Sequence, residues 1–320
     1  MEEFNRQSEI IFYGPGFKGF DPREKIKNVI NKVGGADILI VGHAWLNDNP
    51  GNNIDSFPEL DLEDTSIPKF VILNKEYTNL HAKLKWIREK NFLHGFSHHH
   101  NVKFYSDYTK IPFMFTPFAF NEHIFNKNYN LSKDIDFSFS GILKNSLPDT
   151  DQTDTRIIVM KKLFHCFGDI PIIKKLPYTK YKFFWNTIPR NFFMYGFAKV
   201  LNKYRRLNNK EYALMIMRSK AYLNTLSPLG IISPRFFENI ASKTLIFCEE
   251  TDHLKRIFPS ECYITFKSNF SDFDEKFKFA VSDGVERDKI IKHAFDIAFT
   301  KHTWRSRVNS IMEVIKERLN

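Results

Sequence analysis

The chain has 320 residues with 47 basic and 37 acidic side chains, a formal charge of +10, and 42% apolar and 16% aromatic content. That supplies apolar material for two cores of ordinary size and excludes extended disorder over most of the chain. The positive surplus favours anionic partners, such as nucleotide phosphates, polyprenyl phosphates, acidic glycans, an anionic membrane surface or nucleic acid, without choosing among them. Cys166, Cys248 and Cys262 show no paired spacing and read as reduced thiols, not as a disulfide or metal set. The polar start Met1-Glu2-Glu3 lacks the profile of a secretory signal, and no run of about 18 apolar residues occurs, so the expected location is cytoplasmic.

Five apolar segments in the first 120 residues read as strands: Glu9–Tyr13, Ala36–Val41, Lys69–Leu73, Phe92–Ser97 and Pro112–Pro117. Their alternation with helix-like stretches predicts α/β architecture with a doubly wound parallel sheet. The first runs into Gly14-Pro15-Gly16-Phe17-Lys18-Gly19, so Gly14 and Gly16 are expected to line a turn at a strand's carboxyl end, where open α/β sheets bind ligands. The glycines fit the bare Gly-x-Gly-x-x-Gly pattern. The second strand, however, ends in Val41-Gly42-His43-Ala44 without the acidic residue a dinucleotide ribose needs, which argues against such a cofactor.

His43, at that strand end, can act as a base or bind an acceptor hydroxyl, the alternative being an ordinary loop histidine. Asp48, Asp55 and Glu59 follow in a polar loop and offer further carboxylates. His94 and the run His98-His99-His100 invite a metal reading. Neighbouring strand residues point to opposite faces, though, and no spaced carboxylate or cysteine completes a ligand set, so no metal is expected. The run is assigned to the ligand-facing end of the fourth strand, the alternative being a buried, hydrogen-bonded histidine, with His99 and His43 as candidate catalytic groups.

The second half opens with Lys133–Gly141, an alternating strand ending in glycine, followed by a helix around Asp154–Phe167 that carries Arg156, Lys161 and Lys162. Residues 174–206 then hold nine lysines and arginines interleaved with aromatics, among them Tyr178, Tyr181, Phe183, Phe184 and Trp185. Such a segment can meet an anionic membrane surface, or it can pack its aromatics inward and solvate its cations. No nucleic-acid motif accompanies the charge, and nucleic acid is not expected as a partner.

Strands are expected at Ala221–Leu226, Thr244–Cys248 and Cys262–Phe266, with helices from about Ser271 to the end. Between the first two strands stands Ser227-Pro228-Leu229-Gly230-Ile231-Ile232-Ser233-Pro234-Arg235-Phe236-Phe237-Glu238. Ser233 suits a helix N-cap and Pro234 the first helical position, which puts Arg235 in the opening turn and Glu238 one turn on. Helix-end N–H groups attract phosphate, Arg235 can grip it bidentately, and Glu238 can accept from ribose hydroxyls. Those are the requirements of a nucleotide-sugar pocket.

This segment resembles the donor-site motif of group 1 glycosyltransferases, in the branch of the spore maturation protein CgeB. Phe115-Thr116-Pro117-Phe118-Ala119-Phe120-Asn121 with Phe125 is similar to the signature closing the first domain of such enzymes, and Lys301-His302-Thr303-Trp304-Arg305-Ser306-Arg307 resembles the tail element of CgeB-like proteins. Of the family's glutamate pair, Glu238 matches the second, and the first falls on Gly230.

The resemblance implies a GT-B-like fold of two Rossmann-like domains facing a cleft: 1–130 for the acceptor, 131–300 for the nucleotide sugar with the basic aromatic insertion 174–206, and a helix over 301–320 packing back toward the first. It implies a retaining, metal-independent glycosyltransferase whose donor contacts are Ser233, Arg235, Glu238, Gly141 and Arg156. The nucleotide sugar is a co-substrate, with no further cofactor, and the acceptor is a glycan or a lipid-linked molecule. A non-catalytic nucleotide-sugar-binding protein and a basic membrane-surface or nucleic-acid adaptor are the alternatives.

Overall fold

The structure is a computed structural model that describes residues 2–14, 17–21, 24–42, 62–73, 76, 79–125, 131–142, 155–167, 170–172, 181–188 and 207–320. In chain order the helices are α1 (Glu2–Asn5), α2 (Ile26–Lys32), α3 (Leu80–Glu89), α4 (Val102–Thr109), α5 (Thr155–Leu163), α6 (Asn209–Arg218), α7 (Pro234–Ala241), α8 (Asp252–Lys255), α9 (Phe273–Val281), α10 (Val285–Lys301) and α11 (Trp304–Leu319). The strands are β1 (Leu39–Val41), β2 (Lys69–Leu73), β3 (His94–Ser97), β4 (Phe113–Phe115), β5 (Ile135–Ile142), β6 (His165–Phe167), β7 (Ile170–Ile172), β8 (Phe183–Ile188), β9 (Ser219–Asn224), β10 (Leu245–Glu249) and β11 (Tyr263–Phe266). No helix among the described residues is long and apolar enough to cross a membrane.

Two compact units emerge. One comprises Met1–Phe118, Leu229–Ile231 and Trp304–Asn320; the other comprises Ala119–Pro228 and Ile232–Thr303. Each is Rossmann-like, built on a parallel sheet.

The first unit's sheet has the order β1-β2-β3-β4, all parallel. Its strands are short and covered on both faces, as parallel sheets require. One face packs Val71, Leu73, Leu84, Ile87 and Tyr105; the other packs Phe70 and Phe96 against Ile311 and Ile315 of α11. The chain end thus completes the core that residues 69–97 begin. The expected strand at Glu9–Tyr13 does not form: those residues carry no strand pairing, so Gly14 does not end a strand. Gly14 does take φ +124°, a conformation open to glycine, while Gly16 lies outside the described residues.

The second unit's sheet runs β11-β10-β9-β5-β8, again all parallel. In order of appearance this is the 2-1-3-4-5 arrangement of doubly wound folds, with the switch of direction between β5 and β9. Phe137, Phe183, Phe247, Phe273 and Phe277 meet edge-to-face or stacked beside it, with ring centroids 5.2–6.5 Å apart. Such contacts add to the area that each ring buries.

Strand β8 comes from the segment read as a basic aromatic insertion. Tyr181 and Phe183 pack on Phe277, and Trp185 packs on Phe139 and Phe164. For these three side chains the inward reading is the observed one; Tyr178 and residues 189–206 lie outside the described residues. The helix expected over 154–167 ends at Leu163, and the chain continues into the antiparallel pair β6–β7.

Candidate functional site

The site is set by where β5 and β9 part. Their pairing runs from Ile135↔Ser219 to Ser138↔Tyr222, whereas β5 stays paired with β8 as far as Ile142↔Ile188. Beyond Ser138 the backbone of β5 therefore needs another partner on the β9 side. The Tyr222 hydroxyl supplies it, accepting from the Ser140 N–H at 3.0 Å and donating to the Ser140 carbonyl at 3.0 Å. Carboxyl-end crevices at a switch point are where open α/β sheets bind ligands.

Into this region comes the first turn of α7. Its buried residues Phe236, Phe237, Asn239, Ile240 and Ala241 anchor one face, leaving Arg235 and Glu238, three apart, together on the other. Ser233 holds the N-cap position with Pro234 at the start, but makes no side-chain capping bond. Gly141 explains its own identity. A Cβ there would sit 2.9 Å from the Phe139 ring and 3.1 Å from the Arg235 guanidinium. Its lack of a side chain lets the arginine lie against the end of β5.

The nearby Tyr222, Tyr212 and Glu238 raise the pKa of Arg235, against the effect of burial. No carboxylate lies within ion-pair distance of it among the described residues. Tyr212 donates to Glu238 Oε2 at 2.9 Å. Burial pushes the Glu238 carboxyl up, opposed by the Tyr212 hydrogen bond and by Arg235. Arg156, on the first turn of α5, adds its field at Tyr222. Of the expected donor contacts, Gly141, Arg235 and Glu238 are brought together, Arg156 lies within electrostatic reach of Tyr222, and Ser233 stands at the N-cap position of the same helix without a side-chain cap bond.

Two tyrosines escape the sequence reading. Tyr212 had a signal: Asn208-x-x-Glu211 is a capping box, in which Asn208 accepts from the Glu211 N–H at 2.9 Å and Glu211 accepts from the Asn208 N–H at 3.0 Å. It starts α6 and puts Tyr212 in the first turn. Tyr222 had none, since only tertiary pairing shows where β5 and β9 separate.

In the first unit, His99 is buried with both ring nitrogens engaged. Nδ1 accepts from the Tyr105 hydroxyl (3.0 Å) and the Asn101 N–H (3.2 Å), so Nε2 carries the proton it donates to the Leu229 carbonyl at 2.9 Å. A ring so held is a poor general base. Ser97 and the His99 N–H both donate to Glu76 Oε1, a fully buried carboxyl whose pKa burial raises. His98 donates Nδ1–H to Thr116 and stacks on Phe118. His43, Asp48, Asp55 and Glu59 lie outside the described residues.

The comparisons agree with this architecture. Residues 159–313 match the family described as Glycosyl transferase-like. A glycosyltransferase from Rickettsia africae is similar in structure, with TM-score 0.56, 12% identity, and coverage of 92% of this chain and 80% of that one. The N-terminal domain of trehalose-6-phosphate phosphatase from Candida albicans gives TM-score 0.57, 10% identity, and coverage of 91% and 72%. HepE of Anabaena, solved with UDP, gives TM-score 0.50, 9% identity, and coverage of 78% and 72%. By sequence, no curated protein matches. The fold is of the GT-B class with two Rossmann-like halves, and the matched domain supports a transferase that moves glycosyl groups.

Proposed function

We propose that the chain transfers a sugar from a nucleotide-sugar donor, held by the second unit, to a glycan or lipid-linked acceptor. The observation that carries this is Arg235, a cation without a carboxylate partner among the described residues, one turn from Glu238 at the switch-point edge of the sheet. Arg235 takes the diphosphate, joined by N–H groups of the α7 first turn and by Arg156. Glu238 accepts from the ribose hydroxyls. HepE of Anabaena, with its bound UDP, supports a uridine nucleotide as the first to try.

Transfer breaks the bond between the sugar's anomeric carbon and the diphosphate oxygen, with the electron pair leaving on the diphosphate, and forms a bond from that carbon to an acceptor hydroxyl oxygen, whose proton passes to the leaving diphosphate or to solvent. Fixed positive charge at the diphosphate oxygen lowers the barrier, because it interacts more strongly with the extra negative charge that the diphosphate gains on leaving than with the bound donor. Retention of configuration and independence from a bound metal belong to this reading. They are supported by the likeness of 227–248 to group 1 enzymes and by the position of Arg235. The sequences Ser233–Glu238 and His302–Arg307 support the CgeB-like branch.

Calorimetric titration with UDP tests the site. Arg235→Ala and Glu238→Ala are each expected to weaken binding about 10- to 100-fold, the range for hydrogen bonds to charged groups, with the melting temperature held. Unchanged affinity in folded variants would sink the assignment.

A further inference from the structure

Tyr212 lies outside the donor motif, on a different helix, yet it holds that motif's carboxylate. Its hydroxyl gives a hydrogen bond to Glu238 Oε2 at 2.9 Å. A phenol has one proton to donate, and here the carboxylate takes it. Glu238 Oε2 is thereby occupied. Oε1 accepts no hydrogen bond among the described residues, which leaves it available to a ligand hydroxyl.

The backbone fixes this arrangement from both ends. The Asn208–Glu211 capping box sets the start of α6, and the Tyr212 N–H bonds the Asn208 carbonyl at 2.9 Å, while α7 is anchored by Phe236, Phe237 and Ile240. Neither helix needs the Tyr212–Glu238 bond in order to form, since α6 has its own cap and α7 its own buried face. The bond's consequence is to hold one carboxylate oxygen still.

We infer that Tyr212 is the positioning residue for ribose recognition: by tying Oε2 it presents Oε1 to the ribose 2′-hydroxyl and so sets the preference for ribonucleotide over deoxyribonucleotide donors. This rests on the nucleotide reading of the Arg235–Glu238 site and adds a residue and a specificity to it. A site built to accept from a hydroxyl discriminates against the ligand that lacks it, because its buried polar group is then left unpaired. Without Tyr212, the carboxylate can turn, or spend its free oxygen on Arg235, and the discrimination falls.

The test is titration of wild type and Tyr212→Phe with UDP and 2′-deoxy-UDP, and with the corresponding guanosine pair, alongside melting curves. Wild type is expected to prefer the ribo form at least about 10-fold, and Tyr212→Phe to bring that ratio below about 3-fold at an unchanged melting temperature. A variant that weakens both ligands equally, or keeps the full ratio, overturns the role of Tyr212 and leaves the donor site standing. A wild type that binds neither pair overturns the donor site itself.

Discussion

Gly230, where the resemblance to group 1 glycosyltransferases would put a first glutamate, has φ +74°, and Leu229 before it has φ +63°. A glutamate at 230 would take on the strain that a side chain meets in the left-handed region. Leu229 bears that strain itself while half exposed, and its carbonyl accepts from His99. Lys133 makes a different compromise. Its ammonium donates to the Ser242 carbonyl and to Thr244 Oγ1, and burial, with Arg287 and Lys243 nearby, brings its pKa down to about 7. Between about 7 and 10.5 the unfolded chain keeps a proton that the folded one sheds, so this residue makes stability rise with pH across that window. Lys133→Met should flatten the slope of unfolding free energy against pH from 7 to 9 relative to wild type, measured by denaturant titration. An identical slope would show that the lysine stays charged in the fold.

At the scale of elements, the strands that sequence misplaces are those whose local pattern is shared with something else. β8 is rich in aromatics and flanked by cations, a composition equally suited to a surface segment, and only pairing from Phe137↔Phe183 to Ile142↔Ile188 makes it the edge of the sheet. Glu9–Tyr13 has a strand's apolar letters and pairs with no strand among the described residues. β3 shows the opposite case, where a close approach dictates the residue. A Cβ on Gly95 would meet the Phe113 ring of the adjacent strand at 2.4 Å. Gly95→Ala should cost about 1–3 kcal/mol of stability, the usual effect of overpacking, read as a lower denaturant midpoint. A neutral result would mean that the Phe113 ring moves aside freely.

At the scale of the whole molecule, the chain's last helix belongs to the unit formed by its first third. Ile311 and Ile315 of α11 are buried against Phe70 and Phe96, and Arg307 donates to the Pro117 carbonyl at 2.8 Å. Ile315→Ala should therefore destabilise the first unit by about 2–5 kcal/mol, the range for a large-to-small change in a core. Hydrogen exchange of β2 and β3 amides checks this: their protection should fall, while that of β9 and β10 should hold. Loss of protection in β9 and β10 alone would contradict the assignment of α11.

The sequence by itself determined the α/β class, most strands, and the pairing of Arg235 with Glu238 on one helical turn, because periodicity, capping residues and i,i+3 spacing are local properties. It also set the Tyr212 helix through its capping box. Strand order, the separation of β5 from β9 after Ser138, the packing of Gly141 on Arg235 and the hydrogen bond from Tyr212 to Glu238 were decided only by tertiary structure. Each depends on residues that are far apart in the chain, and the energy that brings them together comes from burial and from hydrogen bonds that no local window contains.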